Sequence, residues 1–157
     1  MIQEAMFGAG CFWGVEALFA KVPGVVDTQV GYAGGTVENP SYKEVCTDKT
    51  GHAEVVWLRF DNEKVSYEQL LDIFFANHNP TTINRQGPDI GAQYRSVIFY
   101  YSEDQYKLAT HKIQQLTDEK HYSQKIVTAI SPAPTFYRAE EYHQKYLEKK
   151  GQDHCGI

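Results

Sequence analysis

The chain predicts an α/β (α+β) fold, a two-layer sandwich in which helices pack on a mixed β-sheet and a mobile tail follows. Three observations carry this expectation. Apolar residues recur at period 2 and then at period 3.6, in alternation from one end of the chain to the other. No repeat, low-complexity stretch or linker interrupts the 157 residues. That length suits a single domain burying roughly 70% of its unfolded surface without disulfides or metals. One domain, 1–157, is expected, with residues 151–157 as its flexible tail.

Near the start, Ala5, Met6 and Phe7 make a short apolar stretch, and Val15, Leu18 and Phe19 follow at helical spacing. Gly10-Cys11-Phe12-Trp13-Gly14 lies between them, so a thiol sits where a strand hands over to a helix. Residues 24–34 read as a strand with Val26, Thr28 and Val30 on one face and Asp27 and Gln29 on the other. Gly34-Gly35 ends it, and a loop runs through Asn39-Pro40-Ser41-Tyr42. Residues 53–60 are a second strand, with Val56, Leu58 and Phe60 on one face. Glu54 shares their parity and points to the apolar side. Ser66 caps a helix, Gln69 completes a capping box, and Leu70, Leu71, Phe74 and Phe75 form its buried stripe. This helix ends near His78-Asn79, ahead of Pro80. Residues 80–95 lack periodicity and contain Gly87-Pro88 and Gly91, the marks of a long loop of the kind that often carries function. Residues 96–101 are a strand, and helix 103–116 buries Tyr106, Ala109, Ile113 and Leu116. Residues 126–130 make a short strand closed by Ser131-Pro132-Ala133-Pro134. Residues 139–150 read as a helix with Tyr142 and Tyr146 four apart.

Composition excludes several classes of function. Net charge is −5, from 15 basic and 20 acidic residues, and no basic run offers a nucleic-acid footprint. No apolar run reaches the roughly 20 residues of a membrane span, and the first residues lack the pattern of a signal peptide. A cytoplasmic monomer is the expectation. The three cysteines, Cys11, Cys46 and Cys155, are too few and too odd in number for a disulfide framework. No CxxC, HExxH or paired zinc spacing occurs, so no metal site is expected.

Chemistry concentrates around Cys11. An ordinary thiol is only about 3% ionised at neutral pH, but the unpaired N–H groups of a helix start favour the thiolate. Phe12 and Trp13 would wall the sulfur with apolar surface; the alternative is a buried strand-end cysteine in an aromatic core. Glu54 is its most informative partner, because a desolvated carboxyl can stay protonated near pH 7 and donate a proton; a strand glutamate paired across the sheet is the alternative. Tyr42 and Tyr94 could donate to a substrate oxygen, although with eleven tyrosines a loop tyrosine is more often a packing residue. Asp89 reads as a turn former, and His52 and His143 as bases or local hydrogen-bonding groups. Cys155, on a short Gly-flanked tail, could attack an oxidised Cys11 at high effective concentration; a stray terminal cysteine is the alternative. Cys46 reads as buried and passive.

Taken together, these motifs resemble the A class of methionine sulfoxide reductases, over nearly the whole chain. The resemblance rests on the Cys11 pentapeptide, Gly31-Tyr32-Ala33-Gly34-Gly35, Asn39 to Tyr42 and Gly51-His52-Ala53-Glu54. It continues through Asp89, Gln93-Tyr94-Arg95-Ser96, and Phe136 to Gln144. Asn79 stands where the family commonly has aspartate, and one tail cysteine stands where many relatives have two. The resemblance implies a mixed-sheet sandwich with a ferredoxin-like core and this order of elements. It also implies reduction of methionine (S)-sulfoxide, free or in oxidised proteins, with Cys11 as nucleophile. Phe12 and Trp13 would hold the substrate methyl group, and Tyr42, Tyr94 and Glu54 the oxygen, Glu54 giving the proton. Asp89 would support that site, and Cys155 would resolve the sulfenic acid to a disulfide reduced by thioredoxin, or by dithiothreitol in vitro. No bound cofactor is implied. The rival readings are a thiol peroxidase, a cysteine hydrolase and a module that binds methionine-bearing peptides.

Overall fold

A computed structural model describes residues 1–149 of the chain. In order these form β1 (Ile2–Ala9), α1 (Phe12–Ala20), β2 (Val25–Ala33), α2 (Tyr42–Val45), β3 (Ala53–Asp61) and α3 (Tyr67–Ala76). There follow β4 (Arg85–Gln86), β5 (Asp89–Ile90), β6 (Ser96–Tyr100), α4 (Glu103–Asp118), β7 (Ala129–Pro132), β8 (Tyr137–Arg138) and α5 (Tyr146–Lys149). The main sheet has the order β7-β6-β1-β3-β2-β8. Its four central strands follow two interleaved βαβ units, with β3 antiparallel to both β1 and β2, and β6 antiparallel to β1. That is the expected ferredoxin-like core. The parallel β6–β7 pair makes the sheet mixed.

Apolar residues on one sheet face meet the stripes of the helices. Phe7 packs against Phe19 of α1 and Phe74 of α3, each with ring centroids 5.2 Å away. Leu58, Leu70, Leu71 and Ile98 are fully buried beside them. Ser66 and Gln69 form the predicted capping box of α3. On the opposite face Met6, Val55, Val97 and Phe99 lie under Trp57, Ala133 and Phe136. Among the described residues no helix is long and apolar enough to cross a membrane.

Several local expectations are corrected. Val26 is 52% exposed rather than sharing a face with Thr28 and Val30; the register shift between Val25 and Asp27 breaks the alternation there. Tyr106 is exposed at the edge of α4, edge-on to Tyr100, while Ala109 is buried. The strand expected at 126–130 starts at Ala129 and runs to Pro132, which is tolerated because β7 is an edge. The 80–95 loop contains the β4–β5 hairpin and a 3-10 turn, Ala92–Tyr94. Residues 139–150 do not form one helix. A 3-10 turn (Glu141–His143) and the four-residue α5 are separated by Lys145 at φ +53°, because the Glu140 and Gln144 side chains and the Lys145 N–H are bonded to distant parts of the chain.

Candidate active site

The site begins with the junction between β1 and α1. Gly10 has φ +99°, and a Cβ there would come within 3.0 Å of the Gln86 side chain, so only glycine fits the turn. Cys11 follows as N-cap of α1, its carbonyl accepting the Val15 N–H at 3.3 Å. The first turn of α1 carries no acidic residue. Instead, Glu54 reaches in from the first turn's flank in β3 and accepts the Phe12 N–H through Oε1 at 3.2 Å.

Glu54 is 2% exposed, and its Oε2 has no hydrogen-bond partner among the described residues. Burial, then the neighbouring Cys11 sulfur, and Asp89 as well, push its carboxyl up to about 8, against the opposing pull of the Phe12 N–H. A group with that pKa is about nine-tenths protonated at pH 7. A neutral Glu54 adds no negative charge at the positive end of α1, to the benefit of a negative charge on Cys11.

Tyr42 opens α2, which Ser41 and Glu44 start with a capping box. Its N–H donates to Glu140 Oε2 at 2.9 Å, and its ring lies 6.5 Å from Phe12 and 4.5 Å from His143. Burial and then a hydrogen bond with Cys46 hold its phenol well above the ordinary range. Tyr94 closes the 3-10 turn, and burial, followed by Glu54, Cys46, Asp89 and Cys11, raises its phenol likewise. Both hydroxyls therefore stay protonated as donors. Glu54, Tyr94, Asp89 and Cys11 feel one another's charge, which puts residues of a strand, a helix start and a loop in one neighbourhood.

Asp89 and Cys11 also line a cavity of about 290 Å³ with Leu18, Asn77, His78 and Gln86. Glu54, Phe12 and Trp13 are not in its lining. Phe12 and Trp13 belong to an aromatic cluster with Tyr32 and Tyr42. A larger cleft, about 410 Å³, lies beyond Trp13 between α1 and α5 and does not touch Cys11. His78 donates from Nδ1 to the Phe74 carbonyl at 2.6 Å and accepts the Ser96 hydroxyl at Nε2, 2.7 Å. Burial pushes its imidazole down to about 4, so it adds no positive charge beside Cys11 at neutral pH.

Phe12 is buried between Tyr32, Tyr42 and His143. Trp13 donates its indole N–H to His143 Nδ1 at 2.9 Å and stacks on Tyr146 at 3.9 Å. His143 is wholly buried, and the Trp13 bond leaves its proton on Nε2 when neutral. Burial lowers its pKa, with Glu140 opposing. Sequence reading left His143 open as a base or a local partner; here it holds the Trp13 ring. It missed Glu140, which accepts the Tyr32 hydroxyl at 2.9 Å as well as the Tyr42 N–H. It also missed Gln144, which bonds Val30 N–H and C=O at 2.9 Å each. Their closeness in sequence to His143 was the available signal, hidden by reading 139–150 as a helix. His52 satisfies local groups, accepting from Gly35 and donating to the Val37 carbonyl. Cys46 is exposed, not buried, as the C-cap of a one-turn helix at the surface. Cys155 lies outside the described residues. Among those residues no group of three or more His, Cys, Asp or Glu side chains is placed to hold a metal ion.

The model of the family "Peptide methionine sulfoxide reductase" matches residues 3–157. A peptide methionine sulfoxide reductase MsrA from Methanothermobacter thermautotrophicus is 58% identical over 153 residues, spanning 98% of this chain and 90% of the relative. Among solved structures, reduced Mxr1 from Saccharomyces cerevisiae superposes with TM-score 0.87 at 41% identity, covering 96% of this chain and 87% of the other. Mxr1 in complex with Trx2 superposes with TM-score 0.63 at 28% identity, covering 92% of this chain and 84% of the other.

Proposed function

Since the chain belongs to the peptide methionine sulfoxide reductases, oxidoreductases that return methionine sulfoxide to methionine, we propose how its own residues perform that reduction. Cys11 attacks the sulfoxide sulfur as thiolate while Glu54 delivers a proton to the oxygen. The attack forms a transient S–S bond to the substrate. The protonated oxygen then passes from the substrate sulfur to the Cys11 sulfur, its old S–O bond breaking as the new one forms. The S–S bond breaks with its electron pair going to the departing thioether, so that Cys11 is left as a sulfenic acid and methionine leaves. Tyr42 and Tyr94 donate hydrogen bonds to the oxygen as charge develops on it. Phe12 and Trp13 give the methyl group an apolar seat, with preference for the S epimer, and Asp89 supports the oxygen site through its field on Glu54 and Tyr94.

The sulfenic acid then meets the Cys155 thiol. The new S–S bond forms as hydroxyl and thiol proton leave together as water, and thioredoxin reduces the disulfide by exchange. The Mxr1–Trx2 complex of a relative supports thioredoxin as the reductant. On this reading the whole chain, 1–157, is one catalytic domain working as a cytoplasmic monomer on free or protein-bound methionine sulfoxide. It needs no bound cofactor, membrane or nucleic acid.

One observation carries the proposal. Glu54 is a buried carboxyl kept protonated near neutrality, with one oxygen on the first N–H of the nucleophile's helix and the other unpartnered. Incubation with separated S and R methionine sulfoxides plus dithiothreitol, counting free methionine, tests it. Methionine from the S form alone is expected, and equal yield from both would overturn the assigned seat.

A further inference from the structure

Glu16, on α1, is a second buried carboxylate beside Glu54 of β3. It is 1% exposed, on the same helical face as Val15 and Phe19. Its Oε2 accepts the Thr28 hydroxyl at 2.9 Å, and its Oε1 accepts the backbone N–H of Lys145 at 2.6 Å. Burial raises its pKa, opposed by those two hydrogen bonds. No step of the reduction uses it, and it does not line the Cys11 cavity.

What it holds is the root of the C-terminal segment. Lys145 sits at φ +53°, a left-handed conformation that a non-glycine residue keeps only when its surroundings impose it. Directly after it come Tyr146, stacked on Trp13, and Leu147, 3% exposed. The chain therefore turns back along α1 at the residue whose N–H Glu16 captures. Cys155 lies six residues beyond Lys149, a reach of at most about 22 Å. One rigid helix carries both the nucleophile at its start and, at Glu16, the clasp for that tether.

We propose that Glu16 is a positioning residue for the resolving step, clasping Lys145 so that the tether carrying Cys155 starts beside α1. This rests on the proposed roles of Cys11 and Cys155. With the clasp intact, the Cys155 thiol finds the Cys11 sulfenic acid from a nearby fixed origin. Without it, the origin wanders and the effective concentration of the thiol falls.

The test compares Glu16→Leu, which keeps volume but cannot accept a hydrogen bond, with Glu16→Asp, one methylene short of Lys145, and Glu16→Gln, whose amide oxygen still can accept. Methionine released in a single turnover reads the first step. Thiol loss after quenching by alkylation, with dimedone capture of sulfenic acid, reads the second. For Glu16→Leu, methionine release within twofold of wild type is expected, with disulfide formation slowed about tenfold and sulfenic acid accumulating. Glu16→Gln should restore the wild-type rate, which a merely structural loss of charge would not. If Glu16→Leu does not fold, Glu16→Asp carries the same comparison with a smaller delay. Disulfide formation at wild-type rate in the folded Leu or Asp variants overturns the proposal. The control is Cys155→Ser: if it still forms the intramolecular disulfide, the resolving role assigned to Cys155 fails instead.

Discussion

Glu54 and Glu16 are both almost fully buried, both raised by desolvation, and both hydrogen-bonded to a backbone N–H from another element. They differ in one oxygen. Glu16 has partners for both, a hydroxyl and an amide, whereas Oε2 of Glu54 has none among the described residues. An unsatisfied buried polar atom costs about 1–3 kcal/mol, so a carboxyl serving the fold alone is expected to look like Glu16. In the proposed mechanism Oε2 of Glu54 is the oxygen that hands its proton to the substrate.

The sharpest way to test that contrast is to remove the sulfur that Glu54 faces. Cys11→Ser should reduce methionine release to background in a single-turnover assay; residual release would remove the sulfur from its role. Cys155→Ser should release about one methionine per enzyme yet show no turnover with thioredoxin, separating the step at Glu54 from the one that follows. If thioredoxin-driven turnover persisted, another thiol, Cys46 foremost, would be resolving the sulfenic acid. Glu54→Gln should slow the first turnover by roughly 10²–10⁴-fold, the usual worth of a general acid. Its thermal midpoint at pH 6 should stay near wild type, since a neutral amide replaces a neutral acid. An unchanged first turnover would mean that the proton comes from elsewhere.

The smallest effect is a pH limb. With Glu54 at about 8, its protonated fraction falls from about nine-tenths at pH 7 to about one-tenth at pH 9. The single-turnover rate should follow it down, and that limb should vanish in Glu54→Gln. The stability linkage has the same sign. Between 4.5 and about 8 the folded state holds a proton that the unfolded state has lost, so the Glu54 contribution is full below 4.5 and declines as pH rises through 8. Denaturant midpoints of wild type minus Glu54→Gln, taken from pH 5 to 9, measure that slope; a flat difference would mean that Glu54 is ionised in the fold.

Apolar alternation by itself determined the sandwich and turned Glu54 toward the apolar side, and the Ser66-to-Gln69 spacing determined the capping box of α3. Side-chain parity and local hydrogen bonds are properties of neighbours in sequence. Position also marked Cys11, because a strand-to-helix junction exposes N–H groups wherever it occurs. The tertiary structure alone decided the stretch from 139 to 149. Tyr142 and Tyr146 have helical spacing, but Glu16, Val30 and the Tyr32 and Tyr42 groups bind its polar atoms from 98 to 129 residues away. Those bonds outcompete a helix whose own propensity is worth only tenths of a kcal/mol per residue. The same holds for Val26, turned outward by a bulge, and for Cys46, exposed because α2 ends after one turn. Whether Oε2 of Glu54 found a partner was likewise undecidable from the chain, because only packing determines which buried atoms are left over.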